Sequence, residues 1–79
     1  MHKHIYVKEA IHNAAWSLRE DEDRWHISDA AQANKNREIA IRRGHEKAAA
    51  FWAEVMKFCK ARDRAGRGLV LHIEQYSLG

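Results

Sequence analysis

Several stretches of this chain carry residue types that could do chemistry, and each can be tested against the spacing that its chemistry needs. Glu9-Ala10-Ile11-His12 has the Glu-x-x-His spacing that sets two metal ligands on one helix face. A di-iron centre of that kind needs the motif twice and two further inward glutamates, whereas here it occurs once, with Ile5 and Trp16 as its neighbours on that face. His45-Glu46-Lys47-Ala48-Ala49 begins like the metalloprotease His-Glu-x-x-His, but Ala49 stands where the second ligand belongs. His2 and His4, two apart, would share one side of an extended backbone, and His12 could join them from a helix. Zinc asks for at least three converging ligands. Cys59 sits among apolar neighbours and reads as a small buried hydrophobe rather than a fourth donor. No metal and no cofactor is assigned.

Nucleophilic chemistry has no better footing. Ser17, Ser28 and Ser77 lack a glycine-rich elbow, and Gly66-Arg67-Gly68 follows a helical stretch instead of opening one, so it cannot cradle a phosphate. The expectation is a protein that is not an enzyme, with no catalytic residue.

Charge offers a different chemistry. The net charge of +3 conceals an uneven distribution. Asp21, Glu22, Asp23 and Asp29 against Arg24 leave residues 21–29 at −3, while ten cations against four acids leave residues 35–67 at +6. Lys57, Lys60, Arg64 and Arg67 fall on one helix face if the helix runs that far, a stripe able to meet phosphates or an acidic protein surface. Ala40 and Gly44 have the spacing of a helix-turn-helix turn. Arg43 and His45 occupy positions that should be apolar there, and Phe51 and Trp52 stand where a recognition helix presents polar groups. Nucleic acid is therefore the second reading of the basic stripe, behind a protein partner with an acidic surface.

The elements that must position these residues follow from composition and period. The chain has 79 residues, no proline, and 46% apolar residues, which suits one small domain with long helices. Val7, Ile11, Ala14 and Leu18 recur at helical steps and predict a first helix over about residues 5–20. Opposite them a second stripe of Ile5, Glu9, His12 and Trp16 puts a large ring on the wrong side for the core. Residues 21–27 read as a connector whose Trp25 and Ile27 fold back. Ser28 or Asp29 caps a second helix over about 28–43, Asp29 and Gln32 having capping-box spacing. Its apolar positions Ala30, Ala33, Ala40 and Ile41 are small in the main, with Ile39 pointing elsewhere. Arg42-Arg43-Gly44 reads as its C-terminus. A third helix over about 46–63 carries Trp52, Val55, Met56 and Cys59 beside Phe51 and Phe58, and forms the centre of the core. Residues 69–79 are a strand or a tail, the one strand partner in the chain being His4-Ile5-Tyr6-Val7.

The expected fold is thus all-α: a helical hairpin of the second and third helices plus an N-terminal helix, with a short terminal β-ribbon or an extended C-terminal tail. A chain of this length buries only about 60% of its unfolded surface. It carries seven aromatic residues, three of them Trp, and one cysteine, so no internal disulfide can add to the core. The expected function is binding. The chain would dock on a larger protein as adaptor, modulator or inhibitor and associate with itself, using Ile5, His12 and Trp16 as anchors and Lys57, Lys60, Arg64 and Arg67 to steer. With a single cysteine and no long apolar run, no membrane is involved and the expected location is the cytoplasm.

Overall fold

The computed structural model describes residues 2–20 and 27–75. Within them the order is strand β1 (Lys3–Lys8), helices α1 (Glu9–Glu20), α2 (Asp29–Arg42) and α3 (Glu46–Ala65), a short 3-10 turn (Gly66–Gly68) and strand β2 (Leu69–Glu74). The domain is mostly helical, and its two terminal segments form a parallel sheet in which Lys3 pairs with Leu69 and Lys8 with Glu74. Parallel strands cannot be joined by a tight turn, and here three helices make the crossover.

The first helix begins at Glu9, not at Ile5 or Val7 as the helical steps predicted. Residues 3–8 alternate instead. Ile5 and Val7 turn toward the core while His4, Tyr6 and Lys8 stay exposed, the two-residue period of a strand. Val7 satisfies both periods because strand and helix pack on the same core, so its position could not separate them. The C-terminal segment is the ribbon's second strand through Glu74 rather than a free tail.

At the start of α2, Ser28 is the cap. Its hydroxyl accepts from the Ala31 N–H at 3.1 Å, and its backbone is extended. Asp29 is the first helical residue and is buried, so the Asp29–Gln32 capping box does not form. At the other end the Gly44 N–H donates to the Ile41 carbonyl at 3.1 Å and the His45 N–H to the Ala40 carbonyl at 2.9 Å. That pair of bonds is a Schellman motif, and it needs the left-handed conformation that Gly44 adopts at φ 75°. The helix therefore breaks where the sequence placed the break. α3 runs two residues beyond its expected end and stops at Gly66, again with positive φ.

The core is small. Val7, Ala15, Leu18, Ala33, Val55, Phe58 and Cys59 are buried together, with Ile5, Ile11, Phe51, Trp52, Met56 and Leu71 packed partly against them. α2 meets α3 through alanines, of which Ala33 and Ala40 are buried. Ile39 and Ile41, on either side of Ala40 around the helix, are both exposed. For Ile41 this corrects the expected inward face: a hairpin turn near the end of the domain has no third helix over it.

One electrostatic cluster fastens the three helices. The Asp29 carboxylate accepts from Arg62 Nη2 of α3 and, at 3.3 Å, from Arg19 Nε of α1. Arg62 is only 13% exposed along its side chain, and its guanidinium lies 5.7 Å from the Phe58 ring centroid. An anion in the first turn of α2 is also favoured by the helix dipole.

Candidate interaction surface

The sequence proposed two groups of partner-binding residues, and the structure separates their members. Trp16 lies on α1 away from Ala15 and Leu18 and is 51% exposed. His12, one turn earlier, is half-buried, with its ring centroid 6.3 Å from that of Phe58 and its Nδ1 3.4 Å from Asn13 Oδ1. Ile5 belongs to β1 and packs on the core, so the helical stripe of Ile5, Glu9, His12 and Trp16 does not exist as one surface. Trp16 alone of the three anchors presents a large open face.

Lys57, Lys60 and Arg64 are exposed and share the side of α3 opposite Val55 and Cys59. Lys57 Nζ pairs with Glu54 one turn back at 3.3 Å, an exposed contact of small energetic weight. Arg67 is exposed as well but follows the break at Gly66, so it leaves the register of the helical face. Arg62, from the same basic run, is turned inward to Asp29. The basic stripe is thus three residues long on the helix, with Arg67 beyond its end.

The outer side of the sheet brings His4, which the sequence reading weighed for metal binding, together with Tyr6 and His72, which it did not. Tyr6 and His72 are registered partners in the two strands, and their rings stack at 4.6 Å with 13° between planes. His4 Nδ1 lies 2.8 Å from His72 Nε2. Their ring centroids are 5.1 Å apart at 19°. That separation is about what one hydrogen bond plus two ring radii add up to, so the imidazoles meet edge to edge in nearly one plane. One nitrogen donates and the other accepts in this contact. The nitrogens point at each other instead of converging on a third position. Among the described residues no three His, Cys, Asp or Glu side chains come together as a metal-holding group. His12 lies on α1 against Phe58, apart from this pair.

Cys59 is fully buried in α3. Burial pushes its thiol above the ordinary value; the Arg62 guanidinium opposes this and the Asp29 and Asp63 carboxylates add to it. A thiol in that setting is a packing group rather than a nucleophile.

Two open grooves among those on the described residues involve the sheet and the helical hairpin. One lies between β1 and α3 and is lined by Ile5, Val7, Ile11 and Phe58 with Lys8 and Lys57 at its rim. The other lies in the α2–α3 hairpin near its turn, where Ile39, Ala40, Ala48 and Trp52 meet Asn36 and Arg43. Among the described residues the large apolar side chains that stand open are Tyr6, Trp16, Ile39, Ile41 and Ile73. Trp25 and Tyr76, which the sequence reading counted with the aromatic surface, and the acidic connector of residues 21–26 lie outside the described residues.

The molecule measures 41 × 39 × 18 Å, a slab rather than a sphere. Its radius of gyration is 13.3 Å; a compact chain of this length has about 11.6 Å. It exposes 6072 Å², against about 4,900 Å² for a compact monomer of its mass. No helix among the described residues is long and apolar enough to cross a membrane. Set beside family models, curated proteins and solved structures, the chain matches none.

Proposed function

We propose that this chain works by binding: a small helical protein without catalysis of its own that docks on a larger protein partner as adaptor, modulator or inhibitor. The observation that carries the reading is the surplus of surface. About 1,200 Å² more is exposed than a compact chain of this size needs, and half-exposed Trp16 and largely exposed Tyr6 are part of it. Trp and Tyr cover a large area with few rotors to freeze, so they supply binding energy economically at a contact. Trp16 is the anchor on α1. Lys57, Lys60 and Arg64 form a positive face that speeds encounter with an acidic partner and adds little to the final affinity.

The test uses a photo-reactive residue at Asn13, exposed and one turn from Trp16, introduced into the full chain in its source cells. The expected result is a covalent adduct with one defined protein. Trp16→Ala should weaken binding of that protein by at least about 30-fold, the effect of losing one anchor. The same change should move folding stability by no more than about 0.5 kcal/mol, because the side chain is open in the free protein. Adducts that Trp16→Ala leaves unchanged would overturn the reading. Adducts with nucleic acid alone, lost steeply with salt, would replace it with the basic nucleic-acid-binding regulator.

A further inference from the structure

Among the described residues the sheet has one pair of strands, so each strand keeps an edge of backbone N–H and C=O groups that no other described strand pairs. The two edges are unlike. β1, Lys3-His4-Ile5-Tyr6-Val7-Lys8, is framed by a lysine at either end, the charge that natural sheets use to discourage a further strand. β2, Leu69-Val70-Leu71-His72-Ile73-Glu74, has no lysine, proline or glycine and a single charged residue at its last position. Ile73 is 44% exposed. A ribbon of two strands is marginal alone, and parallel sheets are ordinarily covered on both faces. This sheet is covered on one, with His4 and Tyr6 open on the other.

We infer that β2 pairs antiparallel with the β2 strand of a second copy of this chain, joining two ribbons into a four-stranded sheet about a two-fold axis. The sequence of β2 is complementary to itself in one register. Centred on Leu71, the pairing sets Leu69 against Ile73 of the other copy and Leu71 against Leu71 on the inner face, with Val70 against His72 on the outer face. A shift of the axis to His72 would set Val70 against the Glu74 carboxylate. A shift to Val70 would leave Ile73 beyond the edge of the pair. The Leu71 register alone covers every apolar residue of the strand and leaves β1, with its lysines, at both outer edges of the joined sheet. Trp16 and the α3 basic face lie on helices outside the strand pair and stay open to a larger protein. The inference rests on the reading that this chain works through contact, and it names one of the partners.

Sedimentation equilibrium of the full chain decides it. The native protein should sediment as twice 9.2 kDa, and Ile73→Lys as one chain. A lysine set against Leu69 of the other copy should raise the dissociation constant at least about 100-fold. Far-ultraviolet dichroism checks that the variant folds. Amide hydrogen exchange on the native chain gives a second readout independent of any substitution. Both alternating sets of β2 amides should be protected, the outward set more so as concentration rises. Trp16→Ala should keep the double mass. A single-chain mass for the native protein overturns the inference, as does a dimer whose outward β2 amides exchange freely. A monomeric native chain that still gives the Trp16-dependent adduct removes the strand pairing and leaves the larger partner. A dimer without that adduct does the reverse.

Discussion

Replacing Asp29 by Ala is expected to cost about 3–5 kcal/mol of folding stability, the range for removing one partner of a buried ion pair. The Asp29 side chain is 9% exposed and holds Arg62 of α3 and Arg19 of α1 together. Without the carboxylate the Arg62 guanidinium remains where water reaches it poorly. Its Nε is already without a hydrogen-bond acceptor among the described residues, with Asp63 Oδ1 3.7 Å away. A domain this small sits at the low end of the usual stability range of about 5–15 kcal/mol, so the variant should be largely unfolded near body temperature. The urea midpoint followed by dichroism measures it. The paired substitution Asp29→Leu with Arg62→Met should recover most of the loss, because two apolar groups replace two charges that had to be desolvated. A cost under about 1 kcal/mol for Asp29→Ala would mean that the cluster is a solvated surface pair.

Phe58→Ala should cost about 3–5 kcal/mol as well, by a different physical route. Phe58 is buried in α3 and is the ring on which several elements meet: the His12 imidazole of α1, the Arg62 guanidinium, and the groove that runs beside β1. Truncation removes apolar contact and leaves a hollow that the short helices around it can only partly close. Phe58→Leu keeps most of the volume and should cost less than about 1.5 kcal/mol. Trp16→Ala removes a larger ring at almost no cost to folding. The contrast between the two aromatic truncations separates core from surface in one series of denaturation curves. Equal losses at Phe58 and Trp16 would contradict the burial assigned to both.

How far the fold is legible in the sequence depends on whether a feature is local. α3 is, because Val55, Phe58 and Cys59 recur at helical steps over a long run without glycine or proline. So is the end of α2, where Arg42, Arg43 and Gly44 carry a stop signal written in neighbouring residues. The exposure of Trp16 follows from its place opposite Ala15 and Leu18. β1 is not legible in the same way. Its partner lies at the far end of the chain, and Val7 fits the helical stripe of α1 as well as the alternation with Ile5. The extension of the helix to Ile5 in turn produced a stripe joining Ile5 to Trp16 that the strand dissolves. Asp29 was legible as a helix-start residue but not as the buried partner of Arg62, since a contact between helices leaves no mark on spacing within either. Ile41 shows the limit of helical period as a guide: the period gives an angle around the helix, and whether anything covers that angle is a matter of topology.

The basic residues divide for the same reason. Arg62 and Arg64 are two apart in the sequence and identical in charge. One faces Asp29 in the interior, and the other stands on the open side of α3. Of the ten cations between residues 35 and 67, the count predicts an acidic partner, and the fold shows which of them remain available to meet one. The proposed binding role draws on Lys57, Lys60 and Arg64 on one helix face, with Arg67 past its end.

The proposed binding role requires the free single chain to be an extended slab with apolar surface to spare. Small-angle X-ray scattering of the Ile73→Lys chain, at a concentration where sedimentation shows one copy, measures that most directly. The predicted radius of gyration is close to the 13.3 Å of the Cα trace, with one short dimension near 18 Å. A value near the roughly 11.6 Å of a compact globule of equal length would mean that the apolar surface is already folded inward, with none left over for a partner.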